Sequence, residues 1–373
     1  MNSVLITGGL GFIGSHTVDL LVEKGYRVRI LDNLEPQVHG EAKKPPEYAN
    51  KKADLIIGDI RDQRTLDKAL RGVDAVLHLA AAVGVGQSMY QIEKYASYNT
   101  YGAAALLDTL VNKEHSVKKL VVASSMSIYG EGKYFCSKCG PVYPSLRGEE
   151  QLRRGEWEPK CPHCGKELKS VPTDEEKPLA STSIYAQTKR HQEEMSILIG
   201  RTYGLPTVAL RYFNVYGPRQ TISNPYTGVS AIFMGRIINR NPPYIFEDGR
   251  QTRDFVNVRD VARANLLALE RSGADYNAIN IGSGKPLPIA KMAELLIEIN
   301  EADLKPSISY RYRKGDIRHC YADISKARKL LGYGPEVNLK KGLTELVEWG
   351  RKEKVGEDKF DLAMKELEKR KLA

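Results

Sequence analysis

Tyr185 and Lys189 stand four residues apart in Ser181-Thr-Ser-Ile-Tyr185-Ala-Gln-Thr-Lys189, a spacing that puts a phenol and an ammonium on one face of a helix. A free phenol, with a pKa of about 10, is a poor base near neutrality, whereas a fixed cation beside it favours the phenolate. The two residues therefore read as an acid-base pair. The spacing alone is common on surface helices, so the reading depends on what else the chain brings to the same place.

The elements that must position such a pair are legible along the chain. Val4-Leu-Ile6 is a short apolar strand that runs into Gly8-Gly-Leu-Gly11-Phe-Ile-Gly14 and then a helical pattern. Glycines there allow close backbone approach to a pyrophosphate, and the free amides and dipole of the new helix attract its charge. A second strand, Arg27-Val-Arg-Ile-Leu31, ends in Asp32, 18 residues past Gly14, near where a dinucleotide site places its ribose-binding carboxylate. An acidic group there repels a 2′-phosphate and favours NAD over NADP. Further strands are expected at Asp54–Ile57, Ala75–Ala80 and Lys119–Ser125, alternating with helices, which predicts a parallel sheet covered on both faces. Asp59, Ala80 to Ala82 and Ser124-Ser125 then fall at strand carboxyl ends, where such sheets gather their ligands. His78 reads as a satisfied core histidine.

Composition limits the classes of partner. The 373 residues allow one large or two moderate domains. An excess of 56 Lys+Arg over 46 Asp+Glu gives a net charge of +10. It is spread over loops and ends without basic blocks interleaved with aromatics, which favours a phosphate-bearing small ligand over nucleic acid. No apolar run is long enough to span a bilayer and the start lacks a signal-peptide pattern, so a cytoplasmic protein with no membrane partner is expected.

Four of the five cysteines form two knuckles, Cys136-Ser-Lys-Cys139-Gly and Cys161-Pro-His-Cys164-Gly. That spacing predicts a four-cysteine zinc ribbon with a structural, closed metal site. His163 reads as a bystander inside its knuckle.

Taken together the motifs resemble the NAD-dependent sugar epimerase/dehydratase family, within the extended short-chain dehydrogenase/reductases. The resemblance is carried by Thr7-Gly-Gly-Leu-Gly-Phe-Ile-Gly14, Asp32-Asn33-Leu34, Gly58-Asp-Ile60, His78-Leu-Ala-Ala81, Asn99, Ser124-Ser-Met-Ser-Ile-Tyr-Gly130, Tyr185-x-x-x-Lys189, Arg211-Tyr-Phe-Asn-Val-Tyr-Gly217, Arg253-Asp-Phe255 and Arg313-Lys-Gly-Asp316, in family order across nearly the whole chain. It implies an α/β, Rossmann-type doubly wound parallel sheet over residues 1–130 and 173–213, with a strand from 278–282. A smaller interleaved substrate domain would occupy 214–340, a zinc-ribbon-like insert 131–172, and a solvated helical end 341–373.

It further implies Tyr185 as catalytic acid-base, Lys189 on the nicotinamide ribose, and Ser125 on the reacting hydroxyl. The NAD-binding set it implies is Gly8, Gly11, Phe12, Ile13, Gly14, Asp32, Asn33, Asp59, Ile60, Leu79, Ala80, Ala81, Asn99, Ser124, Tyr185, Lys189 and Phe213. The nucleotide-sugar substrate would meet Ser125, Met126, Asn214, Arg253, Arg313 and Asp316, the arginine forks suiting a diphosphate. A homodimer through the helices at Asn99–Asn112 and Ser183–Gly200 is also implied.

Within this family the two residues after Ser125 discriminate. Dehydratases carry Asp and Glu there, whereas this chain has Met126 and Ser127, which cannot protonate a leaving hydroxyl or remove a ring proton near pH 7. The expected reaction is therefore 4-epimerisation through a transient 4-keto sugar, on a UDP-hexose. Alternatives are a dTDP-6-deoxyhexose of the dTDP-L-rhamnose type, a 4,6-dehydratase or, in another class, an NAD-sensing nucleic-acid-binding protein. The insert leaves the sheet beside Ser125 and returns before Tyr185, so it is expected to act as a lid contacting substrate through Arg147, Arg153, Arg154 and Trp157, or as a stability or oligomer element. Cys320 aligns where related epimerases limit bulk at the sugar C2, leaving room for an N-acetyl group; an ordinary packed thiol is the alternative.

Overall fold

The computed structural model describes residues 1–41, 43–353 and 358–372. Its centre is a seven-stranded sheet in the order Asn277–Ile281, Thr207–Tyr212, Lys119–Ser125, Ala75–His78, Ser3–Thr7, Arg27–Asp32, Asp54–Ile57. Every pairing is parallel. The apolar runs explain this. Val4, Leu5 and Ile6 are all fully buried, and so are Val76, Leu77, Val208, Ala209 and Leu210. A strand apolar on both sides needs cover on both faces, which crossover helices supply.

Alternation along the first strand divides the cover. Val4 and Ile6 face a cluster holding Val18 and Leu21 of the helix Phe12–Glu23 and Val261, Ala264 and Ala268 of the helix Val258–Glu270. Leu5 faces the opposite cluster, with Leu66 of the helix Gln63–Leu70 and Leu106, Leu107 and Leu110 of Gly102–Asn112. The long helix Ile184–Tyr203 lies on this second face, with Met195 and Ile199 against the same cluster.

A second core lies beyond the strand ends. It joins Tyr216, Phe255, Phe233, Met292, Leu296, Leu343 and Leu346, drawn from the strands Asn214–Tyr216 and Thr252–Asn257 and the helices Val229–Ile238, Ile289–Asn300 and Leu339–Lys352. The charged end of the chain is therefore not simply solvated: Leu343, Leu346 and Val347 repeat at helical spacing and bury one face. A last helix, Phe360–Lys369, buries Phe360, Ala363, Met364 and Leu367.

The segment between Gly130 and the helix Ile184–Tyr203 forms a small antiparallel sheet in the order Gly140–Val142, Lys133–Cys136, Lys169–Val171. Its own core is only Tyr134, Cys136, Val142, Cys161 and Leu168.

Candidate active site

Ser125 is the last residue of the strand Lys119–Ser125 and caps the following 3-10 turn, Met126–Tyr129. Its Oγ accepts from the Ser127 amide at 3.2 Å and lies 2.9 Å from the Ser127 hydroxyl, which donates to it. Both bonds use the oxygen as acceptor, which leaves the single Ser125 proton for another partner. Tyr185 is near enough for the Ser125 hydroxyl to pull the phenol's pKa down.

Tyr185 sits in the first turn of the helix Ile184–Tyr203, capped by Ser183 Oγ accepting from the Ala186 amide at 3.1 Å. The Tyr185 amide donates to Ser88 Oγ at 3.0 Å, so backbone as well as side chain is held. Lys189, one turn on, is buried at 3% exposure. Burial pulls its pKa down to about 7, against a smaller upward pull from Glu193. Burial also pushes the Tyr185 phenol up, while the Ser125 hydrogen bond lowers it. The expected lowering of Tyr185 by Lys189 is thus not the dominant influence, because desolvation acts on both groups.

His78 lies beneath the pair, its ring nitrogens 2.8 Å from Thr7 Oγ1 and 3.1 Å from Gln192 Nε2. Burial drops its pKa to about 3, so it is a neutral, satisfied core residue, as its sequence context implied.

The glycine turn forms the other wall. Gly8 has φ +70° and an added Cβ would stand 2.8 Å from the Ala80 amide nitrogen, so only glycine lets these two loops meet. At Gly14 an added Cβ would collide with the Gly8 carbonyl oxygen. Asp32 closes the turn, its carboxylate accepting from the amides of Leu10 at 3.0 Å and Leu34 at 2.9 Å.

These groups line one cavity of about 600 Å³. Gly8, Gly11, Phe12, Ile13, Gly14, Asp32, Asn33, Asp59, Ile60, Leu79, Ala80, Ala81, Ser124, Ser125, Met126, Tyr185, Lys189, Phe213, Asn214, Arg253, Arg313 and Asp316 are all on its wall. Asn99 is behind it. Fully buried in an irregular π turn, Ala96–Tyr101, Asn99 accepts from the Ala82 amide at 2.7 Å and donates to the Ala82 carbonyl and Thr188 Oγ1. It thereby ties the cavity's loop to the helix of Tyr185.

Several groups that carry no motif join the wall: Tyr95, Tyr98 and Gln220, and at one end Tyr244, Phe246, Phe360, Met364 and Leu367. The last three come from the terminal helix, whose apolar spacing was visible in the sequence but whose destination was not. Ser124 Oγ, Asn214 Oδ1, Gln220 Oε1 and Gln251 Oε1 are buried on this wall without hydrogen-bond partners. Buried orphan acceptors and donors are costly, and a polar dinucleotide and its co-substrate would satisfy them. The cradle, the acidic strand end and the orphan groups fit NAD.

Arg313 pairs with Asp316 at 2.9 and 3.2 Å and stacks over Phe246. Arg253 is turned inward, its guanidinium donating to the carbonyls of Thr252, Ile317 and Arg318. The residues expected to form a lid do not reach the cavity. Arg147 is captured by Glu247, Arg153 and Arg154 are exposed, and none of them nor Trp157 is on the wall. Cys320 is likewise a packed thiol, 1% exposed and off the wall.

In the insert the four sulfurs of Cys136, Cys139, Cys161 and Cys164 all lie within 4.8 Å of one another. The Lys138 amide pulls the Cys136 thiol down, while hydrogen bonding with Cys164 pushes Cys139 up. His163 is exposed and outside the cluster.

Comparison with known proteins agrees with this arrangement. The model of the NAD dependent epimerase/dehydratase family matches residues 4–151 and 161–282, the gap falling inside the insert. The chain is 34% identical over 348 residues to the dTDP-L-rhamnose 4-epimerase of Burkholderia thailandensis, covering 93% of this chain and 94% of that protein. Among solved structures it resembles the UDP-glucose 4-epimerase of Thermotoga maritima with UDP-glucose, at 34% identity and TM-score 0.76, covering 94% of this chain and 99% of that one. It also resembles the UDP-glucuronic acid 4-epimerase of Bacillus cereus in complex with UDP-glucuronic acid and NAD, at 27% identity and TM-score 0.76, with the same two coverages of 94% and 99%.

Proposed function

We propose, from the premise that this chain belongs to the NAD-dependent epimerase/dehydratase family, that it is a nucleotide-sugar 4-epimerase. The observation that carries the reading is Ser125, Tyr185 and Lys189 converging on one cavity with the glycine turn, while Met126 and Ser127 stand where an eliminating enzyme needs an acid and a base. Bound NAD would supply the acceptor, and then the donor, of a hydride at the sugar C4.

Tyr185 takes the proton of the C4 hydroxyl and later returns it. Ser125, with both lone pairs engaged by Ser127, offers its proton to the phenolate or the hydroxyl. Lys189 balances the phenolate's charge. With no acid-base pair beside Ser125 the keto sugar keeps its C6 hydroxyl, and turning it over before reduction inverts C4. Arg313 and Asp316 are proposed to hold the diphosphate and nucleoside ribose. Gly8, Gly11 and Asp32 would hold the dinucleotide, Asn99 acting only through Ala82 and Thr188.

A UDP-hexose is the leading substrate. A dTDP-6-deoxyhexose is the second reading, supported by the relationship to the Burkholderia enzyme and by the apolar end of the cavity at Phe246, Phe360 and Met364. Incubating the protein with UDP- and dTDP-sugars and following C4 inversion by NMR separates the two. Tyr185→Phe should cut turnover by about 10²- to 10⁴-fold while NAD stays bound; near-normal rates in that variant would reject the assignment.

The four insert thiols are proposed to hold one structural Zn²⁺. A relaxed tetrahedral zinc–tetrathiolate site has sulfurs about 3.8 Å apart, close to the cluster here, and four sulfur ligands leave no open position for catalysis. A homodimer in the cytoplasm is also proposed. It is supported by Tyr101 and Leu198, 57% and 63% exposed on the helical face away from the sheet, and no helix among the described residues is long and apolar enough to cross a membrane. Sedimentation as a monomer at micromolar concentration would reject the dimer.

A further inference from the structure

The insert reaches the substrate end of the cavity through buried charges rather than through its surface. Arg318 is fully buried. Its guanidinium meets Glu158 of the insert at 2.6 Å, Glu247 at 2.8 Å and Asp248 at 2.7 Å. Arg147 of the insert, also buried, forms a two-pronged pair with Glu247 at 2.8 and 2.9 Å and donates to the Asp316 carbonyl at 3.1 Å. Glu158 extends to His319 Nε2 at 3.0 Å. From the other arm of the insert, Glu131 accepts from the amides of Arg318 and His319 and from the Tyr134 hydroxyl. Tyr134 in turn packs with Cys136 and Cys161.

Both arms of the cysteine-bearing unit therefore grip the same segment, residues 316–319. That segment is the continuation of Arg313 and Asp316, and its carbonyls at Ile317 and Arg318 hold the Arg253 guanidinium. A flexible surface loop carrying three cavity-wall side chains would lose entropy on binding a diphosphate. A loop pinned by paired, hydrogen-bonded buried ions does not, since breaking one partner leaves an uncompensated charge.

We propose that the insert is a splint: Arg147 and Glu158 are positioning residues that fix the 313–319 segment in the geometry that takes the diphosphate of the nucleotide sugar. This rests on the nucleotide-sugar reading above. It replaces the lid with a device that acts from outside the cavity, and it separates the insert's role from NAD binding, because outside the insert the side-chain bonds of Glu131, Arg147 and Glu158 run to Glu247 and to residues 316–319 and not to the glycine turn or Asp32.

The test uses Arg147→Met, Arg147→Lys and Glu158→Gln in the full-length, NAD-loaded protein. Arg147→Met and Glu158→Gln are each expected to raise KM for the nucleotide sugar, and the calorimetric Kd for UDP or dTDP, about tenfold or more. The turnover number at saturation should change by less than about threefold, with NAD and zinc contents unaltered. Arg147→Lys should recover part of the loss, since it restores the charge without the fork. Hydrogen exchange of the peptide covering 313–320 should accelerate in the same order. Unchanged KM and Kd in folded variants would overturn the proposal, as would a fall in kcat with KM constant. A wild-type protein that binds neither UDP nor dTDP would instead overturn the nucleotide-sugar reading, and the splint with it.

Discussion

The Tyr185 phenol is pushed up in pKa first by burial, and the hydrogen bond from Ser125 works in the opposite direction. Lys189, which chain spacing offers as the group that favours the phenolate, is itself drawn down by burial to about 7. The pull towards the phenolate therefore comes from the Ser125 hydroxyl. Because Ser125 lowers the tyrosine, deleting its hydroxyl must raise it. The rate depends on the deprotonated base and falls as pH drops through the base's pKa, so Ser125→Ala should move the acidic limb of kcat/KM to higher pH. The loss relative to wild type should therefore be greater at pH 7 than at pH 9, read from initial rates across that range. An acidic limb that stays put would mean that Ser125 only holds the sugar. Ser127, whose hydroxyl and amide both occupy the Ser125 oxygen, leaves the Ser125 proton free to point elsewhere.

At the scale of elements, the terminal helix Phe360–Lys369 is the clearest addition to the site. It is fastened by Arg236 to Asp358 at 3.2 Å, by Arg236 stacked over Phe360, and by Arg311 to Glu368 at 2.7 Å. Its apolar stripe closes the end of the cavity against Phe246 and Tyr244. Ending the chain after residue 353 should leave NAD bound, since the ion pairs of the helix run to Arg236 and Arg311 and not to the glycine turn or Asp32. It should raise KM for the nucleotide sugar by about tenfold, equivalent to roughly 1.4 kcal/mol of lost contact; an unchanged KM would show that the helix does not touch the nucleotide sugar. The stripe at Phe360, Ala363, Met364 and Leu367 has helical spacing and can be read from the chain. Its docking partner cannot, because Tyr244 lies in a strand of only two residues, Tyr244–Ile245, with Phe246 just past it, too short a segment to show a period. The sheet strands were readable for the converse reason: continuous apolar runs such as Val4 to Ile6 have one stable solution, a covered parallel sheet. The wall residues with motifs were legible too, with Asn99 the exception, since a motif records that a side chain is needed and not which side of a loop it faces. Arg147 shows the limit most plainly. A lone arginine in an insert looks like a ligand contact until Glu247, a hundred residues on, is seen to claim it.

The molecule as a whole combines cores of very unequal strength. The sheet is buried between two large clusters and the second core adds three helices, whereas the insert's own apolar cluster has five buried residues, two of them cysteines. A unit of about 40 residues with so small a core does not hold itself together by apolar burial. Structural zinc supplies about 10–16 kcal/mol in comparable small units, enough to make metal loss equivalent to local unfolding. Replacing Cys161 and Cys164 together by serine should therefore take the metal content from the proposed one zinc per chain to none and remove exchange protection from residues 133–171. The sheet, which draws nothing from that core, should keep its NAD and a main thermal transition within a few degrees of wild type. Arg318 would then lose Glu158 and share only Glu247 and Asp248, so the effect should spread along the backbone to His319 and stop before the Ser125 strand. Protection persisting across the insert in the metal-free variant would show that its ion pairs, rather than the four sulfurs, are what hold it folded.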